Sequence, residues 1–211
     1  TTSQTSGQSE SRTLTSAAGT ALGVGALTNA HSGTVPTRAE VILLTRNVRI
    51  RAVTAGLVTY ANFKATAVID LAWMEFSEIG QALAGKRGVE IETTTGSCAI
   101  DRCSIHDADA NGIILTGATL NNVTLTNNVV YNLARTGAPG VQVALTSGTI
   151  TITGNIFMQV DGSANRDNVV LLDTGLTFSS NVMIGGYRAL TIGEAVGVNG
   201  TFDGNTIHSC A

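Results

Sequence analysis

The residues best equipped for chemistry sit within one short stretch: Asp101, Arg102, His106, Asp107 and Asp109. His106 could take or give a proton near neutral pH. Asp101, Asp107 and Asp109 are oxygen donors of the kind a divalent cation prefers. Arg102 presents a planar fork that meets carboxylates. Together they would suit attack on an acidic polymer, which needs an acid or base at the scissile unit and cationic help for its charge. The candidates for catalysis are therefore His106, Asp107 and Asp101, and those for a metal are Asp107 and Asp109. Trp73 and Arg102 are candidates for holding a sugar, by ring stacking and by charge. The plainer reading is a solvated turn. Asp107-Ala-Asp-Ala-Asn-Gly112 lacks the layout and terminal Glu of a calcium loop. Asp167, Arg188 and the remaining charged residues of the C-terminal half have no spacing that demands chemistry, and no cofactor is indicated.

What must position these residues is a repeat. An apolar residue, two small or polar residues, Asn, any residue and an apolar residue recur as Leu125-Thr-Asn-Asn128-Val-Val130, Ile152-Thr-Gly-Asn155-Ile-Phe157, Phe178-Ser-Ser-Asn181-Val-Met183 and Phe202-Asp-Gly-Asn205-Thr-Ile207. The steps are 27, 26 and 24 residues. Cys103, Met74 and Asn47 continue the beat toward the N-terminus. A second β-rich phrase, often opened by Gly, keeps time with it at Gly88, Gly112 and Gly140. A period in the twenties with short strands marks one structural unit stacked on itself. The expected fold is all-β: a right-handed parallel β-helix of about seven coils over residues 39–211, preceded by an irregular N-terminal coil or cap over 1–38. The alternative, a β-sandwich with hairpins at Asn111-Gly112 and Asn199-Gly200, does not account for the period. The recurring Asn residues suit a tight corner, where an amide tolerates left-handed backbone and can ladder from coil to coil. Asn128, Asn155, Asn181 and Asn205 are thus structural.

Composition agrees. Charged residues make up 13% of the chain and apolar ones 43%, mostly aliphatic rather than aromatic, as a narrow stacked interior requires. The net charge of −3 and the absence of a basic run argue against nucleic acid as a partner. No apolar stretch is long enough to span a bilayer. Cys98 and Cys103 are either buried free thiols, hence structural, or a bridge across a corner, and Cys210 is too many coils away to join them. Asn122-Val-Thr and Asn199-Gly-Thr are glycosylation triplets. Each lies six residues before a ladder Asn, so both are expected on one rim.

Several phrases resemble the fibrocystin-like family. Ala39-Glu-Val-Ile-Leu-Leu-Thr-Arg-Asn-Val-Arg-Ile50 is similar to the segment that closes the family's eight-glycine domain and enters its β-helix. Met74-Glu-Phe-Ser-Glu-Ile-Gly-Gln81, Cys103-Ser-Ile-His-Asp107 and Asn127-Asn-Val-Val-Tyr-Asn132 resemble the phrases that follow. The family includes fibrocystin, fibrocystin-L and the related cell-migration-inducing hyaluronidases. The resemblance implies a β-helix in a protein of the cell surface or extracellular space. It would also imply a histidine pair, where this chain has His106 followed by Asp107, and a polar stretch where it has Gly137-Ala-Pro-Gly-Val-Gln-Val-Ala-Leu-Thr. The expectation is a non-catalytic structural or adhesion segment of a larger glycoprotein, joined to other domains or to like subunits. The alternative is a hyaluronidase-like enzyme or a carbohydrate-binding β-helix, with polysaccharide as the partner.

Overall fold

A computed structural model describes residues 14–18, 21–24, 26–28, 48–52, 59–65, 68–81, 83–93, 96–116, 122–133, 139–144, 148–159, 167–171, 176–193 and 200–208. The chain forms two compact units, Thr1–Leu43 and Leu44–Ala211. In the first, Leu14–Ala18 and Ala21–Val24 pair as an antiparallel hairpin. No helix occurs among the described residues.

The second unit is a parallel β-solenoid with three faces. Face A stacks Ala61–Ala65, Val89–Thr93, Ile113–Leu115, Val141–Val143, Asp167–Leu171 and Arg188–Ile192. Face B stacks Ile69–Ala72, Ser97–Asp101, Asn122–Thr126, Thr149–Thr153, Leu176–Ser179 and Gly200–Asp203. Face C stacks Val48–Arg51, Met74–Ser77, Ser104–His106, Val129–Tyr131, Ile156–Gln159, Val182–Gly185 and Thr206–His208. The described residues thus give six complete three-strand turns and one leading strand, slightly short of the seven coils expected. The register pairs Val48, rather than Asn47, with Met74. The beat therefore slips by one residue at its first step, and Asn47 itself lies outside the described residues.

In-register pairing places like residues over like. Inside, Val89, Ile113, Val141 and Val169 form one column, and Ile100, Leu125, Ile152 and Phe178 another. Phe76, Ile105, Val130, Phe157 and Met183 line face C, and all these side chains are buried. Alternate residues point outward, as a period of two requires. The glycines that open face A strands have a steric reason. A Cβ on Gly112 would come within 2.7 Å of the Gly140 carbonyl oxygen, and one on Gly140 within 2.6 Å of that of Asn168.

Face C is bounded by corners in the left-handed region. Between faces B and C, φ is 59° at Trp73, 50° at Arg102, 56° at Asn127, 69° at Gly154, 54° at Ser180 and 61° at Gly204. Beyond face C, Glu78, Asp107 and Asn132 have φ of 53°, 52° and 52°. Asn and Gly tolerate this conformation, whereas a bulky residue such as Trp is strained by it.

Immediately after the first corner comes the amide ladder. The Asn128 backbone N–H and Nδ2 both donate to Asn155 Oδ1, at 2.9 and 3.0 Å. Asn155 makes the same two bonds to Asn181 Oδ1, both 3.0 Å, and Asn181 to Asn205 Oδ1, at 3.0 and 3.1 Å. Each Nδ2 also reaches a carbonyl on face B: Ile100, Leu125, Ile152 and Phe178 for Asn128, Asn155, Asn181 and Asn205 respectively. The ladder satisfies backbone donors that the turn would otherwise leave buried and unpaired.

Candidate functional site

The sequence grouped five polar residues around His106, and the fold divides them. The three-residue strand Ser104–His106 has a corner at each end, and Asp101 with Arg102 stands at one while His106 with Asp107 stands at the other. At the first corner, Asp101 Oδ1 accepts from Thr126 Oγ1 (2.7 Å) and Asn127 Nδ2 (3.2 Å), and its Oδ2 pairs with Arg102. The Arg102 guanidinium lies 5.1 Å from the centre of the Trp73 ring, which is 51% exposed. Asp101 therefore braces a corner and does not join His106 as a catalytic partner. Trp73 and Arg102 do come together, as a cation–π pair on the surface.

At the second corner the arrangement is denser. His106 Nδ1 lies 2.8 Å from Asp107 Oδ2, and Nε2 lies 3.5 Å from Glu75 Oε1 on the preceding coil. Arg49, one coil earlier again, places Nε 2.7 Å from the same Glu75 oxygen. Tyr131, on the following coil, stacks on the imidazole with ring centres 4.7 Å apart and planes 16° from parallel. Asn132 Nδ2 donates to Asp107 Oδ1. Glu75 is only 4% exposed, and its Oε2 has no hydrogen-bond partner. The His106 side chain is 12% exposed.

The electrostatics follow from these contacts. The hydrogen bond from His106 holds the Asp107 carboxyl below its usual range, against the upward push of burial, and Asn132 adds to the lowering. Burial raises the Tyr131 phenol, and the charges of Asp107 and Glu75 raise it further, so the ring stays neutral.

A second buried carboxylate lies outside this cluster. Glu90, fully buried on face A, accepts from Arg87 N (2.9 Å), Nε (3.1 Å) and Nη2 (2.6 Å). Burial pushes its carboxyl up, but the hydrogen bonds from Arg87 and the backbone of Gly85 outweigh that and leave it lowered.

Asp109 is exposed, and its backbone N–H donates to the Ile79 carbonyl at 2.8 Å. Among the described residues no three His, Cys, Asp or Glu side chains converge in a way that could hold a metal ion. The stretch after Asp107 is also not the solvated turn that its composition suggests. Ala108, Ala110 and Asn111 are buried, and Asn111 Nδ2 donates to Gln142 Oε1 at 3.3 Å. Alternate small side chains let this corner pack into the solenoid. Cys98 and Cys103 are free and buried, with no bridge between them, and burial pushes the Cys98 thiol up to about 12. Cys103 continues the ladder: its N–H donates to Asn128 Oδ1 at 2.9 Å, and its Sγ lies 3.6 Å from the Leu71 carbonyl. Asn122 is exposed at the start of its face B strand, while Asn199 and Cys210 lie outside the described residues.

Glu75, Arg49, Tyr131 and Asn132 are the participants that sequence reasoning did not assign. One signal was available. Glu75 and Arg49 fall on an outward column that continues as Ser104, Val129, Ile156 and Val182. Charge in such a column, beside a His in the next, asks for a partner. No protein family, curated protein or solved structure matches the chain. No helix among the described residues is long and apolar enough to cross a membrane.

Proposed function

We propose that the chain is a non-catalytic structural or adhesion segment of a larger extracellular or cell-surface glycoprotein. The observation that carries this reading is the direction of its buried polar contacts. From Cys103 to Asn205 they run coil to coil, so polar side chains of the kind a ligand would need instead hold the stack. The same logic applies to the one acid–base candidate. Both His106 ring nitrogens face carboxylates of the protein itself, and Tyr131 covers a ring face. A general base needs a nitrogen aimed at substrate.

The test is incubation with hyaluronan and related acidic polymers, with and without a divalent cation. Polymer length is expected to stay unchanged. Shortening that disappears in His106→Ala would overturn the proposal. Intact-mass measurement of native material tests the extracellular part: a glycan at Asn122 supports it, and both triplets bare counts against it.

Carbohydrate binding without cleavage is the second reading. It is favoured by the exposed Trp73 ring, held in a strained corner with Arg102 against it.

A further inference from the structure

The three faces of the solenoid differ on their outer sides. On face C the outward Ser104, Val129, Met158 and Ile184 are buried, and on face A so are Glu90 and Ile114. Among the described residues no outward side chain of face B is buried. Face B is thus the open side of the later coils, and its composition there is narrow. Thr124, Thr151, Thr177 and Thr201 stand over one another in one outward column. Two residues further along the same strands, Thr126, Thr153 and Ser179 form a second. Among the described residues from Asn122 to Ser179, no outward side chain of face B is charged or aromatic.

Strand geometry turns these columns into a grid. Adjacent strands lie about 4.8 Å apart, and residues i and i+2 on one strand about 6.6 Å apart. Pairing runs without a slip from the Ser97–Asp101 strand to the Gly200–Asp203 strand, beside the amide ladder. A side-chain ladder of that kind holds a sheet flat. Threonine keeps few rotamers, and bonds along the axis fix some hydroxyls further. Thr126 Oγ1 donates to Asp101 Oδ1 at 2.7 Å, and Thr153 Oγ1 lies 3.1 Å from Ser179 Oγ. The result is a flat, uncharged array of hydroxyls and methyls that repeats in two directions.

Such an array selects its partner. Stacking on a sugar needs an exposed ring, which these strands lack. A charged partner needs opposing charge, which they also lack. A crystal of water is uncharged and repeats in two directions, with oxygen–oxygen spacings close to those of the array. Hydroxyls that hold waters at these spacings fit water already in the lattice better than water of the liquid, which has no fixed repeat. We propose that the outward side of face B, from Asn122 to Thr201, is an ice-binding surface. Many weak contacts made at once secure the protein to the crystal. Asn122 stands on the same face, so a glycan there would overhang the threonine rows.

The test is slow growth of ice in a solution of the unglycosylated protein, with protein measured in the ice and in the remaining liquid. The wild type should concentrate in the ice and facet growing crystals, whereas a control protein of equal mass should stay in the liquid. Thr151→Lys puts a charge in the middle of the array and should lose most of that partition. Thr206→Lys puts the same charge on the exposed outer side of face C and should keep it. Circular dichroism checks that both variants fold, and Thr177→Lys replaces Thr151→Lys if that variant does not. Exclusion of the wild type from ice would overturn the proposal, as would equal losses in the face B and face C variants. Exclusion from ice together with retention on crystalline cellulose would overturn it in favour of a solid polysaccharide.

Discussion

The late coils, from Asn128 to Asn205, and the early coils, from Trp73 to Asp107, have the same three-faced course but are held by different means. In the late coils every ladder position is an amide, and its corners use Asn, Gly and Ser. In the early coils Met74 and Cys103 occupy the ladder column, and Trp73 and Arg102 occupy the corner. There the outward side carries an ion-pair network instead. The difference teaches that the ladder column need not be amide throughout for the coils to keep the same three-faced course. In the early coils neighbouring turns are tied by charge on face C, as Asp167 and Arg188 tie adjacent turns on face A in the late coils, and charge responds to pH as an amide does not.

The largest test of this contrast is Asn155→Leu. It removes the acceptor for two Asn128 donors and leaves a buried N–H unpaired, so unfolding in denaturant should show a loss of about 3 kcal/mol or more. Cys103→Ala in the early coils should cost far less, about 1 kcal/mol, because a thiol is a weak donor and its contacts to the Leu71 and Asp101 carbonyls are long, at 3.6 and 3.4 Å. If the two losses were equal, the late coils would owe nothing special to their amides.

Acid should come next in size. Asp107 and Glu90 are both lowered, so each contributes stability above the ordinary carboxylate range that is lost as pH falls through its folded value. Tm should drop as pH falls below about 4, and Arg87→Ala should flatten that drop, because the Arg87 hydrogen bonds are what lower Glu90 against the cost of burial. An unaltered acid slope in that variant would contradict the assignment.

Two smaller effects sharpen the comparison. Cys103→Asn extends the ladder by one coil, with its Nδ2 directed at the Leu71 carbonyl. It should raise stability by about 0.5–1 kcal/mol in chemical denaturation, the typical worth of one hydrogen bond. Trp73→Asn puts a tolerant residue at φ 59° but loses the contact with Arg102. Relief of about 1 kcal/mol of corner strain against a cation–π contact of similar size leaves a Tm change within about 3 °C. A large loss would mean that the Trp73 ring supports the corner.

The ladder was readable because it repeats: four Asn at nearly constant steps, each flanked by residues for the core and the corner. The columns of Ile, Leu, Val and Phe were readable for the same reason. The cluster at His106 was not. Its members come from four coils, and Glu75 and His106 meet only because the register sets Glu75 over Ser104 and Ser77 over His106. One residue of slip would turn Glu75 to the other side of the sheet. Such a slip does occur one coil earlier, where Val48 and not Asn47 aligns with Met74.

The sequence by itself determined the stacked, parallel, all-β course and the structural role of Asn128, Asn155, Asn181 and Asn205, because a periodic pattern carries its own alignment. Only the tertiary structure decided that Asp101 belongs to Trp73 and Arg102, and that His106 belongs to Glu75, Asp107 and Tyr131. Corner geometry sends neighbours in the chain to opposite ends of a short strand, while pairing brings together residues some thirty positions apart.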